Sequence, residues 1–167
     1  MLRWKIPLIL TAVFFAASGC ASRVPKDVVS RVNFAGNFSD LKRSPDRYKG
    51  QFAILGGRVI EIKGDSSGST MAVLQYPLDS SHRPNLDEPS GGRFLVRSSS
   101  FLDPALYSAE SLVTVAGTLS GQETLPVGEY PYPYPVINMD QIWKWETIRP
   151  PSYPAFQFGV GFGTYFD

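Results

Sequence analysis

The first twenty residues constrain the fold more than any other stretch, because they remove themselves from it. Arg3 and Lys5 make a short positive start, Ile6–Ala17 is an uncharged and mostly apolar run, and Ala17-Ser18-Gly19-Cys20 closes it. A helix needs about 20 apolar residues to cross a bilayer, so this run is too short to span. It has the length and flanks of an export signal, with small residues where a peptidase cuts. A cut before Cys20 leaves residues 20–167, a single-domain length. Cys20 is the only cysteine, so no disulfide can brace that domain and packing must hold it.

The closing tetrapeptide resembles the bacterial lipobox, with Ala17 where that pattern usually has leucine. The resemblance implies that the Cys20 thiol receives diacylglycerol, that the signal is cut before it, and that the new amine is acylated. Each buried methylene contributes about 0.8 kcal/mol and two or more chains hold stably, so Cys20 would be a permanent membrane anchor. The plainer alternative is an ordinary secretory signal with an incidental cysteine. In lipoproteins of this kind an aspartate after the cysteine marks inner-membrane retention. Ala21 stands there instead, which implies transfer to the outer membrane.

Without the signal the chain is near neutral, but its charges are unevenly placed. Residues 21–49 carry Arg23, Lys26, Arg31, Lys42, Arg43, Arg47 and Lys49 against Asp27, Asp40 and Asp46, while residues 50–167 are acidic. The basic stretch can lie over anionic headgroups or serve as a solvated tether. The acidic body argues against nucleic acid, which demands a basic face.

Ala21–Gly36 has no sustained period and reads as tether. Asn37 or Ser39 can cap a short helix through Leu41–Arg43, which Pro45 stops. Strand signals begin at Gln51, with Phe52, Ile54, Ile60 and Ile62 sharing even positions around Gly56-Gly57, where a strand can bend. Gly64–Gly68 is a hairpin loop. Thr70–Tyr76 is a second strand, Asp79–Gly91 a polar loop, and Gly92–Arg97 a third strand with Phe94 and Val96 inward. Asp103–Tyr107 reads as one helical turn with Pro104 at its first position. Leu112–Leu119 is a fourth strand with Val113, Val115 and Leu119 around Gly117. Val136–Trp145 is a fifth, with Ile137, Met139, Trp143 and Trp145 on one face. Tyr130, Tyr132 and Tyr134 alternate with Pro131, Pro133 and Pro135 as a rigid extended loop.

Five strands with a short helix between the third and fourth predict an all-β fold, a small five-stranded OB-like antiparallel barrel. An open sandwich is the competing architecture. The domain plan is a signal over 1–19, a lipidated tether over 20–36, the barrel over 37–146 and an aromatic, Gly/Pro-rich tail over 147–167.

From Phe38 to Val136 the chain resembles the Slp family of Gram-negative outer-membrane lipoproteins, named for induction by starvation. The matching fragments include Tyr48-Lys49-Gly50, Gly56-Gly57-Arg58-Val59-Ile60 and Leu74-Gln75-Tyr76-Pro77-Leu78-Asp79. They continue with Gly92-Arg93-Phe94, Asp103-Pro104, Val113-Thr114-Val115-Ala116-Gly117, Gly128-Glu129-Tyr130 and Tyr134-Pro135-Val136. The resemblance implies an envelope protein linked to stationary phase and stress, and it supplies no catalytic residues.

The chemistry of the remaining residues reads as non-enzymatic, without cofactor or metal. His82 is the only histidine; Asp79, Asp87 and Glu88 lie nearby without close ligand spacing, and no nucleophile elbow accompanies it. Gly159, Gly161 and Gly163 have no helix after them and cannot be a dinucleotide fingerprint. In the tail, Phe156, Phe158, Val160 and Phe162 alternate with small and polar residues. That pattern suits a strand covering a sheet edge, or a contact with membrane or partner. Two functions follow: a structural envelope lipoprotein, or a binding module holding an oligosaccharide, lipid or protein near Asp65 and Tyr130–Tyr134.

Overall fold

The computed structural model describes residues 22–146; the signal, Cys20 and the tail with its glycine run lie outside the described residues. Five strands form the body: β1 (Phe52–Asp65), β2 (Gly68–Gln75), β3 (Gly92–Ser98), β4 (Leu112–Val127) and β5 (Tyr130–Trp145). β1 pairs with both β2 and β4, β2 pairs with β3, and β5 lies between β3 and β4. The order β1-β2-β3-β5-β4 therefore returns to its start. One pairing is parallel, Leu95–Arg97 against Val136–Asn138, which corrects the expectation of a wholly antiparallel sheet. The cause is the long connection from β3 to β4. It carries β4 past the neighbouring position, and β5, the hairpin partner of β4, fills it running the same way as β3. In that connection Asp103–Tyr107 forms a turn rather than a helix, closed by Leu106 and Tyr107 N–H groups donating to the Asp103 carbonyl.

The interior is built from alternate residues, as a half-buried strand requires. Leu55, Val59, Met71, Val73, Phe94, Val96, Val113, Val115, Leu119 and Ile137 form one buried cluster. Phe94 and Val96 on β3 and the apolar positions of β4 stand where the pattern puts them. β1 does not: its core residues are the odd-numbered Ala53, Leu55 and Val59. Phe52 and Ile54 face outward into a second cluster and Ile60 packs against a third. A bulge between Val59 and Glu61 then reverses the phase, so Ile62 packs against the main core. β5 shows the same effect. Asp140 is unpaired where Met139 meets Gly117 and Gln141 meets Ala116. Ile137 and Met139 thus face the core while Trp143 packs outside with the second cluster.

Residues 24–36 correct the reading of a tether. α1 (Lys26–Ser30) lies on the outer face of the sheet, where Val24 and Val28 are buried with Phe52 and Ala116. Asn33 and Phe34 N–H groups donate to the Phe52 carbonyl, and Asn33 Oδ1 accepts from Phe52 N–H at 2.7 Å. The folded body begins at Val24, only four residues after Cys20. α2 (Phe38–Arg43) follows, capped by Asn37, whose Oδ1 accepts from Asp40 N–H at 2.9 Å. Its Phe38 and Leu41 enter the main core, with Phe38 edge-on to Phe94. Pro45 ends α2 and starts a 3₁₀ turn, Pro45–Tyr48.

The tyrosine–proline repeat is strand, not loop. β4 and β5 run on together to a turn at Gly128-Glu129, pairing Val127 with Tyr130 and Gln122 with Pro135. Leu125, Val127, Tyr132 and Tyr134 from this arm pack with Ile60, Ala72, Leu95 and Val136.

Candidate functional site

Both ends of the described chain meet at one place. Ser22 Oγ donates to the Ser81 carbonyl at 3.0 Å and lies 3.1 Å from His82 Nδ1. Arg23 donates to the Lys144 carbonyl at 3.2 Å and stacks 5.5 Å from the Trp145 ring centre. Arg83 donates to the Glu146 carbonyl at 3.1 Å. Beneath them, Trp145 Nε1 donates to Thr114 Oγ1 at 2.9 Å, and Thr114 donates in turn to the His82 carbonyl at 2.6 Å. His82 is therefore held by partners that sequence spacing did not reveal, one of them 60 residues away. Its backbone sits at φ 64°, a left-handed conformation fixed by the tight turn that Leu78 and Pro84 close. Asp79 turns its Oδ1 to the N–H groups of Ser81 and Arg83, and Asp87 and Glu88 are exposed farther along the loop. Among the described residues no group of three or more His, Asp or Glu side chains is placed to hold a metal ion.

A polar groove of about 390 Å³ opens where β2, β3 and β5 meet at the β1–β2 turn, lined by Asp65, Ser67, Ser69, Arg97, Asn138 and Met139. The Ser67 hydroxyl and then its backbone N–H donate to Asp65 Oδ1 and hold that carboxyl below the usual aspartate range. Arg97 is paired with Glu123, tying the groove to the long β4–β5 arm. Tyr132 and Tyr134 do not join this groove. They stack edge to face on each other, Tyr134 is buried, and the Tyr132 hydroxyl accepts from Arg93 N–H. Asp65 and the tyrosines thus belong to separate surfaces. A second cleft, about 360 Å³ and more apolar, lies between the N-terminal segment and the 77–84 loop, bordered by Val29, Val32, Phe34, Ile54 and Leu78.

Comparison with known proteins places this architecture. The model of the outer membrane lipoprotein Slp family matches residues 17–165. Outer membrane protein Slp of Escherichia coli is 30% identical over 161 residues, which is 94% of this chain and 84% of that protein. The uncharacterized lipoprotein YeaY of the same organism is 34% identical over 124 residues, 71% of this chain and 64% of YeaY. An uncharacterized protein of Haemophilus influenzae is 27% identical over 155 residues, 92% of this chain and 84% of its own. The match begins three residues before Cys20 and runs through the strands into the tail, so this chain belongs to the Slp family of outer-membrane lipoproteins.

Proposed function

We propose that this outer-membrane lipoprotein is held by acyl chains on Cys20 and acts as a non-catalytic structural element that stabilises the envelope under starvation or envelope stress. The observation that supports this role is the filled interior. Met71, Val73, Phe94, Val96, Val113 and Val115 are wholly buried inside the strand ring, so packed side chains occupy its centre. We read the ring as a small barrel of the OB type, because its cyclic order and the parallel β3–β5 pairing follow that topology.

A second reading is favoured by the polar groove. OB-type barrels use the face of strands 2 and 3 and the loop between strands 1 and 2 to hold oligosaccharides and other polymers, and the groove lies there. Fold alone does not assign that activity. The two readings separate in a deletion strain tested for envelope permeability in stationary phase. For a structural role, wild type and an Arg97→Ala/Asn138→Ala variant should restore the barrier equally, while Cys20→Ala should not. Failure of the groove variant at normal abundance would establish the binding module instead.

A further inference from the structure

The geometry points to a fixed seat on the bilayer. We propose that the end of the domain formed by the 77–84 loop, the end of β5 and Leu106 rests against the phospholipid headgroups of the leaflet holding the acyl chains. This rests on acylation of Cys20. Only Ala21 lies between Cys20 and Ser22, and two residue steps reach at most about 7 Å. Ser22 is bonded to Ser81 and His82, so the anchor leaves no freedom for another face to meet the membrane.

The side chains at this end suit that seat. Arg23, Arg83 and Lys144 each donate to a backbone carbonyl, of Lys144, Glu146 and Leu106 respectively. None of the three forms an ion pair among the described residues; Arg31, Arg43, Lys49, Arg58, Lys63 and Arg97 do, while Lys26, Lys42, Arg47 and Arg93 share the unpaired state. Arg23 and Lys144 are exposed and Arg83 is half-exposed, so all three charges reach solvent at this end. The carboxylates of the same turns are engaged: Asp79 on Ser81 and Arg83 N–H groups, and Asp103 on Ala105 N–H. Glu110 is paired with Arg58, and Glu146 is the one exposed carboxylate of the described β5 end. Leu106, 60% exposed, adds an apolar side chain beside Lys144. Cations next to exposed apolar groups match the headgroup–acyl boundary. The polar groove sits across the strand ring from this end, at the β2–β3–β5 junction, and so faces away from the lipid.

The test uses the full lipidated protein in vesicles of phosphatidylethanolamine and phosphatidylglycerol, with and without dibrominated acyl chains. Cleavage before Cys20 removes Trp4, so Trp143 and Trp145, both at this end, are the only tryptophans left. Bromine should quench their fluorescence in wild type. The Arg23→Glu/Arg83→Glu/Lys144→Glu variant should still float with vesicles yet lose the quenching. Three surface cations shift the seated-to-free balance by roughly a hundredfold. Since that variant could misfold, wild type in about 1 M salt, where the Debye length falls to about 3 Å, should show the same loss without any substitution. Failure of wild type to float would refute the anchor reading itself. Flotation with unquenched tryptophans would overturn the seat and leave this end to a protein partner, and quenching indifferent to both charge reversal and salt would overturn its basis in Arg23, Arg83 and Lys144.

Discussion

Replacing Gly117 with alanine tests whether β4 and β5 approach as closely as the register requires. An added Cβ would stand 2.1 Å from the Asn138 carbonyl oxygen, 2.9 Å from its carbon and 3.1 Å from Met139 Cα, against an ordinary contact of 3.4 Å or more. All three atoms are backbone, so no side chain can rotate away, and the strands must part by about 1 Å at the bulge beside Asp140. Overpacking of this kind costs about 1–3 kcal/mol. Weakening a ladder hydrogen bond adds about 1 kcal/mol. A total near 3 kcal/mol lowers Tm by about 10 °C for a domain of this size. Gly56→Ala is the internal control. Its Cβ would meet Leu78 Cδ2 at 2.3 Å, the end of a side chain that can move, so its loss should be smaller. The assay is thermal denaturation by circular dichroism of the signal-free domain with Cys20 replaced. Gly117→Ala melting within about 2 °C of wild type, or above Gly56→Ala, would refute the close approach.

Val28→Ala should destabilise the same domain by about 2 kcal/mol, because Val28 is fully buried under α1; a surface tether would lose nothing measurable on calorimetry. In a carboxyl NMR titration Asp65 should protonate below the ordinary aspartate range, and Ser67→Ala should move its midpoint up; the turn is then best held above that midpoint and loosens as pH falls through it. Every described strand already has two partners, so ending the chain after Glu146 should leave Tm unchanged; a lower Tm would show that the tail completes the fold.

What the amino-acid pattern reveals here follows from what each residue can signal locally. On β3 and the start of β4 the bulkiest alternating residues, Phe94 and Val96 and then Val113 and Val115, do face the core, although Leu95 and Ala116 are buried on the other side. β1 is covered on both faces, by the core and by α1, so Phe52 and Ile54 look like core residues while Ala53 carries less signal. The phase reversals at Ile60 and Asp140 are properties of pairing and have no composition of their own. The tyrosine–proline arm misleads for a different reason. Gly128 at φ 59° opens a two-residue turn closed by Val127 and Tyr130. Counting from that closing pair, Pro131, Pro133 and Pro135 all fall at positions that make no ladder bond to β4, so their missing N–H groups leave the pairing intact. α1 was hidden because Val24, Val28, Val29 and Val32 are too few to establish a period in so short a helix. At the N-terminal end, Cys20 stands out in the sequence, but Ser22, His82, Arg83 and Lys144 are brought together only by folding.

The proposed role depends on Cys20 as the covalent link between this domain and the outer membrane. Mass spectrometry of the protein purified from membranes tests it directly. The expected N-terminal fragment begins at Cys20 and carries acyl chains on both its sulfur and its amine. A fragment beginning elsewhere, or Cys20 with a free thiol, would contradict it.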